Sequence, residues 1–360
     1  MNVNYGFWKG KKVLLTGHTG FKGSWLTAML SQLGALVIGY SDKVHPNHLF
    51  DLANMSTLCD HNIGNINDAK LIKQIIAKSQ PDIVFHLAAQ SLVSEGYADP
   101  IETLNTNIMG TANLLDALKD YQRPLAIVVV SSDKCYQLKA DNAAFIESDP
   151  LGGLDPYSCS KAGCELVVTS YRASFFAKSP YIGLASARAG NVIGGGDFSL
   201  NRVVPDTVQA IIENRLVELR HPHSVRPWQH VLDALYGYLL LAEALYKNPI
   251  AFSCAWNFGP LVADMLTVGE LVGRCYQLVG KQYQHQTQAS AFEETAILLL
   301  DSHQARQRLN WLPQWNIDQA LKNILDWHIG LQHGDNALGL TLEQIENYLQ
   351  SKEADVEYTR

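Results

Sequence analysis

Long apolar runs are missing from this chain. No stretch approaches the about 18 consecutive apolar residues of a membrane helix, and the N-terminal segment MNVNYGFWKGKKVLLTG sets its positive charges before only a short apolar run. A soluble, cytoplasmic protein without a targeting segment is expected. Positive charge is also scarce. The 28 Lys and Arg stand against 35 Asp and Glu and are scattered, which leaves no field to hold a nucleic-acid backbone. Paired cysteines are absent: Cys59, Cys135, Cys159, Cys164, Cys254 and Cys275 show neither CxxC spacing nor a disulfide framework. Free thiols in a reducing compartment are the plain reading. Metal-ligand clusters are lacking too. His221, His223 and His230 in HPHSVRPWQH have no carboxylate or thiolate at ligand spacing, so no metal is expected.

What is present is a chain of 360 residues, 47% hydrophobic and 18% charged, enough for a sizeable core. Short β-branched runs alternate with amphipathic stretches, the sequence form of βαβ units. KVLLTG, ALVIGY, PDIVFHLAA, LAIVVVSSDKCY and YIGLASAR read as strands. SWLTAMLSQLG, DAKLIKQIIAKS and PYSCSKAGCELVVTSYRASFF read as helices between them. In IETLNTNIMGTANLLDALKD, Ile101, Leu104, Ile108, Leu115 and Leu118 fall on one helical stripe. After about Gly190 the texture changes to Gly-rich and polar, and the later helices no longer alternate with strands. The expected fold class is α/β: a doubly wound parallel sheet of Rossmann type with a smaller, mixed C-terminal domain. Residues 1–190, joined by about 225–262, would form the dinucleotide-binding domain, and 191–360 mainly the substrate domain, interleaved with it. The polar tail QSKEADVEYTR is expected to fray.

TGHTGFKG sets Gly17, Gly20 and Gly23 directly after one expected strand and before a helix. The glycines serve a tight turn, close approach to a pyrophosphate and close helix packing, while the helix N-terminus offers unpaired N–H donors. His18 and Lys22 would bring positive charge to that pyrophosphate. The acid that should hold the adenosine ribose falls at Asp42, after Tyr40 and Ser41, and no Arg follows to favour a 2′-phosphate. NAD is the expected cofactor. Asn65 in IGNIND stands where an adenine-contacting acid is common, and an amide can make similar bonds.

In YSCSK, Tyr157 precedes Lys161 by four positions, one helical turn on the same face. A cation there favours tyrosinate, which makes a phenol usable as a base. With the glycine loop, FHLAAQSLV, TNIMGT, SSDKCY, RAGNVIGGGD, RPWQHV and WNFGP in this order, the sequence resembles the extended short-chain dehydrogenase/reductase family, and within it the nucleotide-sugar 4,6-dehydratases. The resemblance covers nearly the whole chain. GHTGFKGSW, RPWQHV and the Asp-Lys of SSDKCY direct it toward enzymes acting on CDP-glucose.

The resemblance implies residue roles. Tyr157, Lys161 and Ser132 would oxidise the sugar at C4, Asp133 would protonate the departing C6 hydroxyl, and Lys134 would be the base at C5 or, still charged, would stabilise the enolate. Gly17, His18, Gly20, Phe21, Lys22, Gly23, Asn65, Ile66, His86, Ala88, Ala89 and Asn107 would line the cofactor together with Tyr157 and Lys161. Gln90, Asn191, Arg202 and Arg226 would face the substrate. Ser94, Gly96 and Phe198 depart from the pattern, where Arg, Ser and Trp are usual. A homodimer built from the IETLNTNIMG and YSCSKAGCELV helices is expected, with a tetramer as the alternative. Competing readings are an epimerase or reductase on a related nucleotide sugar, which would not need Asp133 and Lys134 as a pair, and a catalytically silent dinucleotide-binding scaffold.

Overall fold

The computed structural model describes residues 3–199, 201–288 and 297–357. Among the described residues twelve strands are formed: β1 (Lys12–Thr16), β2 (Leu36–Ser41), β3 (Asp60–Ile63), β4 (Ile83–His86), β5 (Leu125–Ser132), β6 (Ile182–Ala189), β7 (Asn191–Ile193), β8 (Val217–Leu219), β9 (Val225–His230), β10 (Ala255–Phe258), β11 (Met265–Thr267) and β12 (His285–Thr287). Seven of them make one sheet in the order β10-β6-β5-β4-β1-β2-β3. Every pairing in it is parallel. The order reverses direction between β1 and β4, and the crevice outside the carboxyl ends of those two strands is the ligand position in such sheets.

β4 and nearly all of β5 and β6 are buried, as a sheet covered on both faces demands. The expected strands are all present, and β3 is added. Its sequence, DHNI, is half-exposed at the sheet edge and carries no apolar pattern that would announce it. Smaller sheets, β11-β9-β7 and β12-β8, lie in the C-terminal half.

The stripe expected from Ile101 to Leu118 is divided. A π-helical turn over Asn105–Met109 inserts a residue into the repeat. Leu115 and Leu118 are consequently buried, whereas Ile101 is 74% and Met109 51% exposed. The tail is also corrected as far as Glu357, because the last helix runs Ala337–Glu357; residues 358–360 lie outside the described set. That helix leaves the C-terminal half and returns to the large sheet's side, where the Gln32 amide donates to the Leu342 carbonyl at 3.2 Å. Its Tyr348 hydroxyl donates to Asp233 at 2.7 Å. Asp233 sits on the buried helix Val231–Lys247, against which the N-terminal segment also closes through Val3 N–H and the Tyr236 hydroxyl, 3.1 Å apart.

Burial sets the protonation of several groups. It pushes His86 and His230 down to about 3 and His328 to about 4. His18 falls to about 4 through burial and then His61. Desolvation raises Asp233 to about 6, against the bonds from Gln314 N–H and the Tyr348 hydroxyl. A histidine kept neutral in the fold costs stability as pH falls from its ordinary 6.5 toward 4. Asp233 acts in the opposite sense: its contribution is complete below the ordinary carboxylate value and is lost as pH rises through about 6. The melting temperature should therefore fall on acidification below about pH 6.5, and Asp233→Asn should be more favourable relative to wild type at about pH 8 than at about pH 5. Thermal unfolding followed across that range checks both; a pH-independent difference between variant and wild type contradicts the assignment to Asp233.

Candidate active site

The glycine loop closes on itself more tightly than any other residue type would permit. Gly17 has φ +75°, and a methyl group there would stand 2.6 Å from the Ala88 nitrogen at the end of β4. One on Gly23 would stand 2.0 Å from the Gly17 carbonyl oxygen. The helix Phe21–Gln32 starts at Gly20 with no side-chain cap, which leaves its first N–H groups pointing into the crevice. These features fit a dinucleotide pyrophosphate.

Lys22 stays close to this crevice and to Lys161 and Asp133. Its pKa is pushed down to about 7 by burial and then by Arg202 and Lys161, with Asp133 acting the other way. His18 does not supply the expected charge. Its ring is fully buried against Phe50, its Nε2 and the Nδ1 of His61 are 2.6 Å apart, and its Nδ1 meets the Ser41 hydroxyl at 2.9 Å. A neutral ring filling the space above Gly39 is what remains. His86 is likewise a tie between elements: Nδ1 meets Thr16 at 2.7 Å and Nε2 meets Thr111 at 3.0 Å. Ile66 is buried against Gly110. Asn65 is exposed, its side-chain oxygen accepting from Asn67 N–H at 2.8 Å. Asp42 is exposed in the first position after β2.

β5 ends in Ser132 and passes into a single tight turn, Asp133–Cys135. Ser132 donates to Asp133 Oδ1 at 3.0 Å and accepts from Lys134 N–H. Asp133 is 4% exposed, and its other oxygen, Oδ2, has no partner. Desolvation raises its pKa, although Lys134, Ser132, Arg226 and Lys22 pull it down. Gly190, at the end of β6, makes room: a methyl group there would come within 3.1 Å of Asp133 Oδ2. A buried carboxyl that keeps its proton can act as an acid.

Across the cleft the helix Pro156–Tyr171 starts on the Asp155 carboxylate and buries both Tyr157 and Lys161. The Lys161 ammonium is 5.9 Å from the Tyr157 ring centroid. The π-turn holds the base of this helix: the Asn107 amide donates to Ser160 Oγ at 2.7 Å and to the Gln90 carbonyl at 3.0 Å. Ser160 in turn donates to the Tyr157 carbonyl at 2.7 Å. Gly96 lets the short helix Val93–Ala98 approach Tyr157, since a methyl group on it would lie 3.2 Å from the tyrosine Cβ.

Gln90 is not free to face a substrate. Its amide donates to Thr103 at 2.8 Å and its side-chain oxygen accepts from Leu92 N–H. Arg226 is buried and acts electrostatically on Asp133. Arg202 is about one-third exposed and lies 3.8 Å from Asp197. Asn191 is half-buried on β7. Phe198 packs edge-on to Trp327 and His328. A separate pocket of about 480 Å³ opens beside Lys12, Leu36, Cys59 and Lys78. It lies at the amino end of β1 and β2, the end of the sheet opposite the glycine loop and the Asp133 turn. Among the described residues no group of His, Cys, Asp and Glu could hold a metal ion, and no helix is long and apolar enough to cross a membrane.

Residues 14–324 match the model of the family described as GDP-mannose 4,6 dehydratase. The chain belongs to that family. The CDP-glucose 4,6-dehydratase of Salmonella typhimurium is 41% identical to it over 353 residues, covering 96% of this chain and 98% of that protein. UDP-glucose 4-epimerase of Mycoplasma pneumoniae is 25% identical over 330 residues, covering 87% and 95%. A crystal structure of DesIV, a dTDP-glucose 4,6-dehydratase of Streptomyces venezuelae solved with NAD bound, gives a TM-score of 0.78 at 23% identity and covers 91% and 99%. The family membership agrees with the resemblance read from the motifs, and the fold with the doubly wound sheet expected from them.

The dinucleotide loop can be tested through its closest approach. Gly23→Ala should weaken NAD binding by at least about tenfold, or about 1.4 kcal/mol, because the Gly17 carbonyl must move to admit the methyl group. Titration calorimetry with NAD checks this; unchanged affinity contradicts the pyrophosphate assignment.

Proposed function

We propose that the protein is an NAD-dependent 4,6-dehydratase that converts CDP-glucose to CDP-4-keto-6-deoxyglucose. The observation that carries this is Asp133, a buried carboxyl with an unpartnered oxygen and a raised pKa, placed beside Lys134 and within the same cleft as Tyr157. A dehydrogenase or an epimerase needs no such acid. The substrate follows the relative in Salmonella typhimurium, which is matched over nearly its whole length.

Gly17, Gly20 and Gly23 with the N-terminus of the helix Phe21–Gln32 would hold the cofactor's pyrophosphate, and Ala88, Ala89, Phe21, Asn65, Ile66 and Asn107 would surround the rest. When bound, NAD supplies a reversible store for one hydride. Tyr157 takes the proton of the C4 hydroxyl, with the Lys161 ammonium beside its ring and Ser132 holding the sugar oxygen. The ketone formed at C4 acidifies C5–H. Lys134 is assigned that proton, and Asp133 gives its own to the C6 oxygen as the C6–O bond breaks, so the leaving group is water; the hydride taken from C4 would return to C6 and a proton to C5, which gives the 4-keto-6-deoxy sugar. Arg226 and Arg202 suit the substrate diphosphate, because a planar guanidinium can bind two oxygens at once, and Asn191 lies on the same side.

A homodimer fits the exposed apolar residues of the two helices that flank the site: Ile101, Met109 and Leu166 are 74%, 51% and 60% exposed. Two such helices from each copy would form a four-helix interface. Six free cysteines agree with a cytoplasmic enzyme, and the product is a precursor for deoxysugars of surface polysaccharide such as O-antigen.

Incubation with NAD and, separately, CDP-glucose, dTDP-glucose, UDP-glucose and GDP-mannose should give loss of one water from CDP-glucose alone, read by mass spectrometry. Water loss from another sugar nucleotide keeps the chemistry and rejects the substrate. No water loss from any rejects the dehydratase reading in favour of an epimerase or a silent binder. Asp133→Asn should lower kcat by about 10²- to 10⁴-fold with KM little changed, as expected for loss of a general acid. Leu166→Glu should shift the protein toward monomer in sedimentation velocity; an unchanged assembly places the interface elsewhere.

A further inference from the structure

The two halves of the acid–base apparatus stand on different elements, the helix Pro156–Tyr171 and the turn after β5. Between them lies a buried ion pair to which none of the chemical steps above gives a role. Glu165, one turn beyond Lys161, is fully buried. Its two oxygens accept from Arg188 Nε and Nη2, both at 2.9 Å, and one of them also accepts from the Ser186 hydroxyl at 2.8 Å. Arg188 stands on β6 directly across from Ser131 of β5. Its remaining arm, Nη1, donates to the Tyr136 hydroxyl at 2.8 Å and to the Glu147 carbonyl at 3.1 Å.

Tyr136 is the residue at which the Asp133–Cys135 turn ends. Its hydroxyl donates onward to Asn257 Oδ1 at 2.7 Å, and its ring stacks on Phe145 with centroids 4.7 Å apart and planes within 4°. Asn257 is fixed in turn, since its amide donates to the carbonyls of Phe145 and Asp301. One rigid guanidinium thus grips the helix of Tyr157 and Lys161 on one side and the turn of Asp133 and Lys134 on the other. A guanidinium is planar and carries five donors in fixed directions, so it sets a spacing that a flexible ammonium would not.

We infer that Arg188, held by Glu165 and gripping Tyr136, is a positioning residue for the elimination step. The inference rests on the dehydratase reading. Oxidation at C4 uses Tyr157, Lys161 and Ser132. Elimination additionally needs Asp133 and Lys134, which stand on the turn that ends at Tyr136, at the right distance. The C5–H and C6–O bonds break, the C5–H electron pair becomes the new C5–C6 double bond, the C5 proton goes to Lys134, and the Asp133 proton leaves with the C6 oxygen as water. Loosening the Arg188 grip leaves the first step and slows the second.

The test uses the full-length protein with NAD and CDP-glucose in single-turnover reactions quenched with borodeuteride. Mass spectrometry then reports the ratio of the trapped 4-keto sugar that retains its C6 oxygen to the 6-deoxy product. Tyr136→Phe removes only the hydroxyl and keeps the stack; Arg188→Lys keeps the charge and loses the fork. Tyr348→Phe, which removes a hydroxyl from the separate buried network at Asp233, is the control for lost stability. Expected for Tyr136→Phe is a rise in that ratio of about tenfold or more, as a small misplacement of a catalytic group produces, with KM near that of wild type. Arg188→Lys should shift the ratio in the same direction, and Tyr348→Phe should leave it at the wild-type value. If folded Tyr136→Phe and Arg188→Lys give the wild-type ratio at any overall rate, or if Tyr348→Phe raises it equally, the positioning role is overturned. Absence of water loss in the wild type would instead remove the dehydratase reading itself.

Discussion

Exclusion of water from the carboxyl ends of the central strands is the constraint under which the whole site is built. A charge taken out of water must be paired, neutralised or bonded from several sides. Each outcome occurs within a short distance of β5 and β6. Glu165 and Arg188 are paired; burial alone would raise the Glu165 pKa, but the bonds from Arg188 overcome it and hold the carboxylate below its usual range. Asp133 has cations near it and a hydroxyl bonded to it, yet burial prevails and raises its pKa. His86 is neutral and bonded on both nitrogens. The same desolvation that is overcome at Glu165 prevails at Asp133. What separates them is geometry: a fork of three bonds reaches Glu165, while one oxygen of Asp133 is left with none.

This arrangement also explains why the machinery can be distributed over several elements without being loose. Tyr157 is fixed through Ser160 and Asn107, and so indirectly through a π-turn about fifty residues earlier in the chain. Asp133 depends on Ser132 before it and on the missing side chain of Gly190 opposite.

The parts of this picture legible in the sequence are those whose physics is local. A glycine needed for a positive φ or for close backbone approach stands in the loop that uses it, so Gly17 and Gly23 could be read directly. The spacing from Tyr157 to Lys161 fixes a shared helical face whatever surrounds it, and the apolar runs of β4, β5 and β6 state their own burial. His18, His86 and Gln90 were legible as members of the right segments and not in their orientations. Their partners, His61, Thr111 and Thr103, lie between 13 and 43 positions away in the chain, and nothing local says which way each side chain turns. The π-turn was invisible for another reason: one inserted residue changes the phase of a stripe without changing its composition. Arg188 and Tyr136 each sit in a strongly apolar or motif-bearing segment, and only the register of β5 against β6 brings them together.

The closure at Asp233 has a consequence for how the chain comes to its shape. The helix Val231–Lys247 is bonded by Val3 and Asn4 and again by Tyr348. A polypeptide emerging from the ribosome presents its early segments long before the late ones. Asp233 therefore keeps its access to water until the segment around Tyr348 has been made. The helix that carries Tyr348 latches a chain whose first bonded residues were made more than three hundred positions earlier.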